Sequence, residues 1–250
     1  MKAKDIQVRP ISSKDAAKII KTCHYSGNVV QNSQLHFGVF LGGKCGGAMQ
    51  FGPSLDKRKM LGLVEGTKWN GFLELNRMAF ADWLPKNSES RALGVALRMI
   101  KKNYPHIEWI VSFADATQCG DGTIYRASGF LLTAIKKNTA IMKLADGSVG
   151  VDVTFSKGSH ILKTRGKAGR PEGAELLPGF QLRYMYFLNK KARERLTVPA
   201  LPFNEIKKRG ASMYRGKPLS VQSIDSDASS DQLEEGGVSP TCTLQGAPNG

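Results

Sequence analysis

Cysteine pairs, long apolar runs and acidic side chains are what this 250-residue chain has least of. Its four cysteines (Cys23, Cys45, Cys119 and Cys242) stand far apart with no CxxC pair. That spacing excludes a disulfide framework and a zinc signature, and reads as reduced thiols of a cytosolic protein. No stretch approaches the roughly 18 apolar residues a membrane helix needs, and the N-terminus has no apolar core of a leader, so neither export nor membrane spanning is expected. Acids are the third scarcity: 21 Asp and Glu face 36 Lys and Arg, for a net charge of +15. The imbalance is uneven. One Lys against five acids gives residues 217–250 a charge of −4, which leaves +19 on residues 1–216. A body that basic calls for a polyanionic partner, nucleic acid first, with solubility or attraction to a membrane surface as the plainer alternative.

Hydrophobic content of 41% is ordinary for a globular protein. DIQVRPI (5–11) alternates as a short strand. SSKDAAKIIKTCH (12–24) opens on capping serines and places Ala16, Ile19, Ile20 and Cys23 at helical spacing. LHFGVFLGGKCGGAMQFGP (35–53) reads as a hairpin turning at Gly42-Gly43. GFLELNRMAF (71–80) is a strand, and NSESRALGVALRMIKKNYP (87–105) a helix with Ser88 or Ser90 as its cap and Leu93, Leu97 and Ile100 as its stripe. IEWIVSFAD (107–115) is the near-continuous apolar run of a strand buried on both faces. DGTIYRASGF (121–130) is a short helix stopped at Gly129, and LLTAIKKNTAIMKL (131–144) and GFQLRYMYFLNK (179–190) are further strands. The element order predicts an α/β protein, a sheet of mixed strand direction flanked by helices. Residues 1–216 form the expected domain, interrupted at 146–178 by a mobile basic insertion; 217–250, rich in Ser, Gly and acid, is an expected disordered tail. The chain holds no internal repeat.

That element order, with a polar turn and capped helix after the fourth strand and YxxxGF after the fifth, resembles the GNAT-type N-acyltransferase fold. The resemblance implies that Asn87, Ser88, Ser90 and Arg91 lie at the phosphates of an acyl-CoA, at a helix start whose free N–H groups suit anions. It also implies that Tyr125 approaches the thioester. NSESRALG departs from the family's glycine-rich loop, carrying only Gly94 and the acid Glu89. The donor is thus open between acetyl-CoA and another activated acyl or aminoacyl donor, aminoacyl-tRNA included. A tighter likeness runs through CHYSG (23–27), FGPSLDKRK (51–59), LELNRMAF (73–80), NSESRALG (87–94), SFADATQCGDGTIYRASGF (112–130) and RYMYFLNKKARERL (183–196). Six pieces in order resemble the Mom DNA-modification proteins of Mu-like phages. The resemblance implies a small carbamoylmethyl-type group added to the exocyclic amine of adenine in double-stranded DNA, against host restriction, in the cytoplasm of a bacterial host.

Adenine's amine is a poor nucleophile, because its lone pair is delocalised into the ring. It needs a positioned base, and its base must leave the stack to reach a pocket. Asp115, at the mouth of a buried strand, can take that proton, or can simply end the strand as a turn Asp. Tyr125 can protonate a leaving group, stack on the base, or fill the core. Glu74 and Arg77 lie three apart on one strand and so point to opposite faces unless a bulge intervenes. Glu74 is a second acid–base candidate, and Arg77 a partner for Asp115 or phosphate. His24 and Tyr25 follow the first helix as catalytic candidates, with His24 a candidate base, metal ligand or phosphate contact. Ser112 lies on the face opposite Asp115, and Cys119 is a lone thiol without an assigned base. His24, His36, Glu74 and Asp115 are a possible set for a transition metal such as iron, though no two sit close in sequence. Lys57, Arg58, Lys59, Lys163, Arg165, Lys167 and Arg170 lead the basic clusters expected on DNA phosphates, with Lys101-Lys102, Lys136-Lys137, Lys190 to Arg195 and Lys207 to Arg209 behind them. Two other readings stand beside this one: an acetyltransferase acting on a small amine or peptide, and a non-catalytic DNA-binding protein on a relic GNAT fold.

Overall fold

Seven strands pair in the order β1–β2–β3–β4–β5–β10–β6 in a computed structural model that describes residues 2–151, 173–214 and 217–218. The strands are β1 (Gln7–Pro10), β2 (Leu35–Leu41), β3 (Lys44–Gly52), β4 (Phe72–Phe80), β5 (Trp109–Asp115), β6 (Leu131–Lys137) and β10 (Phe180–Phe187). Every neighbouring pair is antiparallel except β4 and β5, which run parallel. A mixed sheet flanked by helices is therefore what this sequence builds. A small second sheet, β8 (Val149–Val151), β7 (Ile141–Lys143) and β9 (Glu175–Leu176), frames the segment expected as an insertion. That segment's interior, 152–172, lies outside the described residues, as does the tail after 218. The C-terminal part adds a two-stranded ribbon, β11 (Met213–Tyr214) with β12 (Lys217–Pro218).

Helix α1 (Ser13–Cys23) lies on one face of the sheet, where Ala16 and Ile20 bury against Ala48 and Ala79. Its cap is Ser12, whose hydroxyl accepts from Asp15 N–H at 3.1 Å. Helix α3 (Ser88–Asn103) covers the other face through Leu93, Leu97 and Ile100, packed with Phe37, Val39, Met49, Leu73 and Ile110. Neither Ser88 nor Ser90 caps it. Asn87 does so in a left-handed conformation (φ 68°), making no side-chain capping bond. A second apolar cluster joins the short helices α2 (Lys57–Leu61) and α5 (Lys190–Glu194) to the sheet, with Met60, Leu63 and Val64 against Phe72, Trp109, Val111 and Met185. The Phe72 and Trp109 rings stack there at 4.3 Å. Helix α6 (Asn204–Lys208) buries Ile206 into the main core.

Two irregularities in the sheet shape its centre. β4 and β5 pair only at Phe72–Trp109, Leu73–Ile110 and Glu74–Val111, after which β4 continues to Phe80 and β5 to Asp115 without pairing. The parallel pair is a fork. On its other edge β4 bulges at Asn76, so that Leu75 faces Phe51 while Arg77 faces Gln50. Gly52, opposite Glu74, permits this, because a Cβ there would stand 2.8 Å from Asn76 Oδ1.

Candidate active site at the strand fork

The bulge decides where Glu74 and Arg77 point. Directly opposed residues share a face, and Glu74 and Arg77 oppose Gly52 and Gln50, two residues apart on β3. Both side chains thus emerge on the α1 face. The chain leaving α1 crosses over them: Arg77 Nε donates to the Asn28 carbonyl at 3.0 Å, and Nη1 to the Asn76 carbonyl at 2.7 Å. The same segment carries Tyr25 to β5, where its hydroxyl donates to Asp115 Oδ2 at 3.1 Å.

Asp115 is held by neutral donors alone. Thr117 N–H and Gln118 N–H reach Oδ1 at 2.9 and 3.3 Å, and Gln118 Nε2 reaches Oδ2 at 3.1 Å. It is a turn Asp and a site Asp at once. The backbone bonds close the strand end, while the Tyr25 bond ties it to an element 90 residues away. Burial, then the Asp115 charge, pushes the Tyr25 hydroxyl well above the usual phenol range. The Cys119 thiol beside them rises for the same two reasons.

His24 stacks on Tyr25 with ring centroids 4.3 Å apart. Burial and then the Arg77 charge lower it to about 4, so the ring is neutral near pH 7. Ser26 N–H approaches Nδ1 at 3.2 Å, and Ser26 Oγ lies 2.8 Å from the same atom. A backbone N–H can only donate, so Nδ1 accepts and the proton sits on Nε2. Glu74, half-buried, is pushed up by burial, with Ser54, Asn76 and Arg77 acting the other way.

From the opposite face comes Tyr125 on α4 (Thr123–Ala127). Its ring packs with Phe130 and Tyr184, and burial pushes its hydroxyl up to about 12. Ser112, fully buried, bridges the fork: its Oγ lies 2.8 Å from Tyr125 Oη and 3.3 Å from the Leu75 carbonyl. When the serine proton goes to the nearer oxygen, the tyrosine proton is left for a third partner. The start of α4 is fixed by Gly122 (φ 90°), where a Cβ would stand 2.4 Å from the Tyr184 ring.

Seven residues expected at the site from sequence (His24, Tyr25, Glu74, Arg77, Ser112, Asp115 and Tyr125) thus gather around one fork. The Arg77 charge acts on His24, Tyr25, Glu74 and Tyr125 alike. Sequence reasoning missed Gln118, Ser26, Ser54 and Asn76, which hold these groups. An Asp with Gln three residues on, and an Asn between Glu and Arg on a strand, were the signals available. His36 stays on β2 opposite Gln50, two strands from Arg77. Burial lowers it. Among the described residues no three His, Cys, Asp or Glu side chains converge into a set that could hold a metal ion.

The residues expected at phosphates fare differently. Ser88 is fully buried and gives its hydroxyl to the Pro85 carbonyl at 2.5 Å, so its side chain does not face a ligand. Ser90 Oγ turns to the Asn87 carbonyl at 3.4 Å, and Arg91 Nη2 to the Lys4 carbonyl at 3.1 Å. What remains is the start of α3, not closed by the Asn87 side chain. Of the basic clusters, Lys57, Arg58 and Lys59 lie on α2. Arg195 pairs with Glu108 at 2.6 Å, and Lys208 and Arg209 both pair with Glu205 at 3.2 Å. Lys163, Arg165, Lys167 and Arg170 lie outside the described residues.

With this geometry in place, comparison with known proteins gives three findings. Solved structures similar to the chain include the ribosomal-protein-S18-alanine N-acetyltransferase of Escherichia coli, at 11% identity over 74% of this chain and 94% of that one, with a TM-score of 0.43. Another is an IAA acetyltransferase of Bacillus cereus, at 14% identity over 73% and 99%, with a TM-score of 0.42. Among curated proteins, the methylcarbamoylase mom of Escherichia phage Mu is 39% identical over 202 residues, covering 78% of this chain and 81% of its own length. The model of the Mom protein family matches residues 5–205. The chain belongs to the Mom protein family.

Proposed function

We propose that this protein is a DNA-modifying transferase, which adds a small carbamoylmethyl or acetamido-type group to the exocyclic amine of adenine and so shields phage DNA from restriction in the host cytoplasm. The observation that carries the reading is the fork between β4 and β5, where acid–base groups from both faces of the sheet meet. The name of the Mu relative, a methylcarbamoylase, supports transfer of a small carbamoyl-containing group, and the +19 of residues 1–216 supports a polyanionic substrate.

In this reading the flipped adenine presents its amine to Asp115, which takes a proton as the amine attacks the donor's electrophilic carbon. Tyr25 shares that carboxylate and holds the ring edge. Tyr125, protonated at neutral pH and relieved of donating to Ser112, gives its proton to the departing group. His24, with Nε2–H as a donor, and the Arg77 cation stabilise negative charge gathering at the donor carbonyl. Glu74 acts as a reserve acid–base group beside Arg77. The donor enters from the α3 side, with its phosphates at the helix start near Asn87. Acetyl-CoA fits that path. Acyl transfer from acetyl-CoA or from an aminoacyl-tRNA leaves an amide on adenine, so a carbamoylmethyl product requires a donor whose leaving group departs from the methylene carbon that the amine attacks. An amino-acid-derived donor also suits a basic protein.

Nucleoside mass analysis of DNA from cells expressing the protein tests the reading. A mass-shifted deoxyadenosine is the expected result. Unmodified DNA bound tightly by the protein favours a non-catalytic binder, and an acetylated small amine with unmodified DNA favours an ordinary acetyltransferase.

A further inference from the structure

Leu55 is an anomaly. It is 97% exposed, while among the described residues the next most exposed large apolar side chain, Trp69, is 54% exposed. An apolar tip on a wandering loop would carry little meaning, but this turn is pinned at both ends. On one side Ser54 is buried and close enough to act on the Glu74 carboxyl, and the Pro53 carbonyl accepts from Asn76 Nδ2 at 3.4 Å. On the other, the Asp56 carboxylate accepts from Lys59 N–H at 3.3 Å to cap α2, and Met60 buries in the second core. Leu55 is therefore one residue, about 3.8 Å along the backbone, from a side chain that touches the fork.

The ground around it is basic. Lys57, Arg58 and Lys59 follow after Asp56. Lys57 Nζ sits 4.6 Å over the Trp69 ring and donates to Asn70 Oδ1 at 3.0 Å, which holds the exposed indole in place. An apolar tip beside a reaction centre, flanked by cations and an exposed aromatic ring, matches what a duplex offers when a nucleotide leaves it: a gap between stacked bases bordered by phosphates.

We propose that Leu55 is a wedge that enters the base stack and occupies the space vacated by the target nucleotide, while Lys57, Arg58, Lys59 and Trp69 hold the strand beside the gap. The proposal rests on the reading of the fork as a site that acts on a DNA base.

The test compares the full chain with Leu55→Ala, a change at a solvent-facing position that leaves the core untouched. A duplex carries 2-aminopurine at a position where the wild-type protein modifies adenine. Wild type raises its fluorescence; the variant, at saturating protein, loses most of that rise. On ordinary duplex the variant modifies adenine roughly tenfold more slowly, and within about twofold of wild type when the target lies opposite an abasic site, because that base is already unstacked. Equal fluorescence and equal duplex rates overturn the wedge and leave the site reading intact. Equal slowing on both substrates also overturns it, since Leu55 then shapes the pocket. So does a Leu55-dependent self-association, or Leu55-dependent binding to phosphatidylglycerol vesicles with DNA behaviour unchanged. If wild type modifies no adenine at all, the site reading falls first and the wedge with it.

Discussion

The fold treats Asp121, just before α4, differently from Asp115 and Glu74 at the fork. Asp121, raised by burial, is met by Arg126 Nη2 at 2.8 Å. Thr123 and Arg126 bind each other beside it, and the Asp121 carbonyl accepts from Tyr184. That cluster lies within 121–126 apart from Tyr184, and its charges cancel. Among the described residues Asp115 and Glu74 make no ion pair, although Arg77 sits close enough to act on Glu74 and on three other groups around it. The Asp115 partners are neutral donors: Tyr25 from a segment 90 residues away, and Thr117 and Gln118 from the adjoining turn. A scaffold neutralises a buried charge with its nearest neighbour, since an uncompensated one is costly. A site assembles charges from several elements and leaves them unneutralised, so that a substrate can complete them. The contrast supports the proposal of chemistry at the fork and of a structural role for Asp121–Arg126, and it can be broken from either side.

The largest effect is expected at Asp115. Asp115→Asn keeps shape and one acceptor oxygen but turns the other into a donor and removes the proton acceptor, and should lower adenine modification by roughly 10³-fold or more, with duplex affinity within a few-fold of wild type. Nucleoside mass analysis and a binding titration measure the two. Near-normal activity would make Asp115 only the turn residue that its bonds to Thr117 and Gln118 allow, with Glu74 or His24 next in line as base. Tyr125→Phe should cost roughly 10²-fold if the hydroxyl is the general acid. A loss of twofold or less would show that the ring merely packs against Phe130 and Tyr184.

Much of this contrast was legible in the sequence, and the part that was not has a physical cause. Strands and helices with strong periodicity, such as IEWIVSFAD and the Leu93–Leu97–Ile100 stripe, lie where their patterns place them. The candidates at the fork were recognisable by residue type at strand and helix ends. What sequence spacing alone cannot supply is the bulge at Asn76, which turns Glu74 and Arg77 from opposite faces to one. It also cannot supply Tyr25 crossing to Asp115, since that contact depends on the path of a loop. The cap of α3 illustrates the reverse. Ser88 has the right composition for a cap, yet its hydroxyl is buried against Pro85 and Asn87 takes the place. The run Lys57–Lys59 looks like a solvated patch, and only the burial of Met60 shows that it opens a helix.

From the scaffold side, Arg126→Ala leaves Asp121 buried without its cation. Fully buried pairs lose more, but this one is partly open to water, so a destabilisation of roughly 1–3 kcal/mol is expected. Urea denaturation reads that directly. Activity per folded molecule should be unchanged. A fall in modification well beyond the folded fraction would mean that the Asp121 cluster belongs to the site, and the distinction drawn between the two regions would fail.

The smallest effect separates the regions by pH. His24 is lowered in the folded protein to about 4 against 6.5 in the unfolded chain. Between those values the unfolded state binds more protons, so stability rises with pH across the window and is flat above it. Wild type should lose roughly 1–2 kcal/mol on going from pH 7 to pH 5 through this residue, after allowance for its partial exposure. Glu74, raised by burial, contributes with the opposite sign at the acid end, because its folded form prefers the proton. The measurement is therefore a difference. His24→Gln should show a shallower decline from pH 7 to pH 5 than wild type in matched urea titrations. Identical slopes would mean that the imidazole takes up its proton in the folded state without penalty. His24 would then be a cation beside Arg77, and the neutral Nε2–H donor assigned to it would have to be given up.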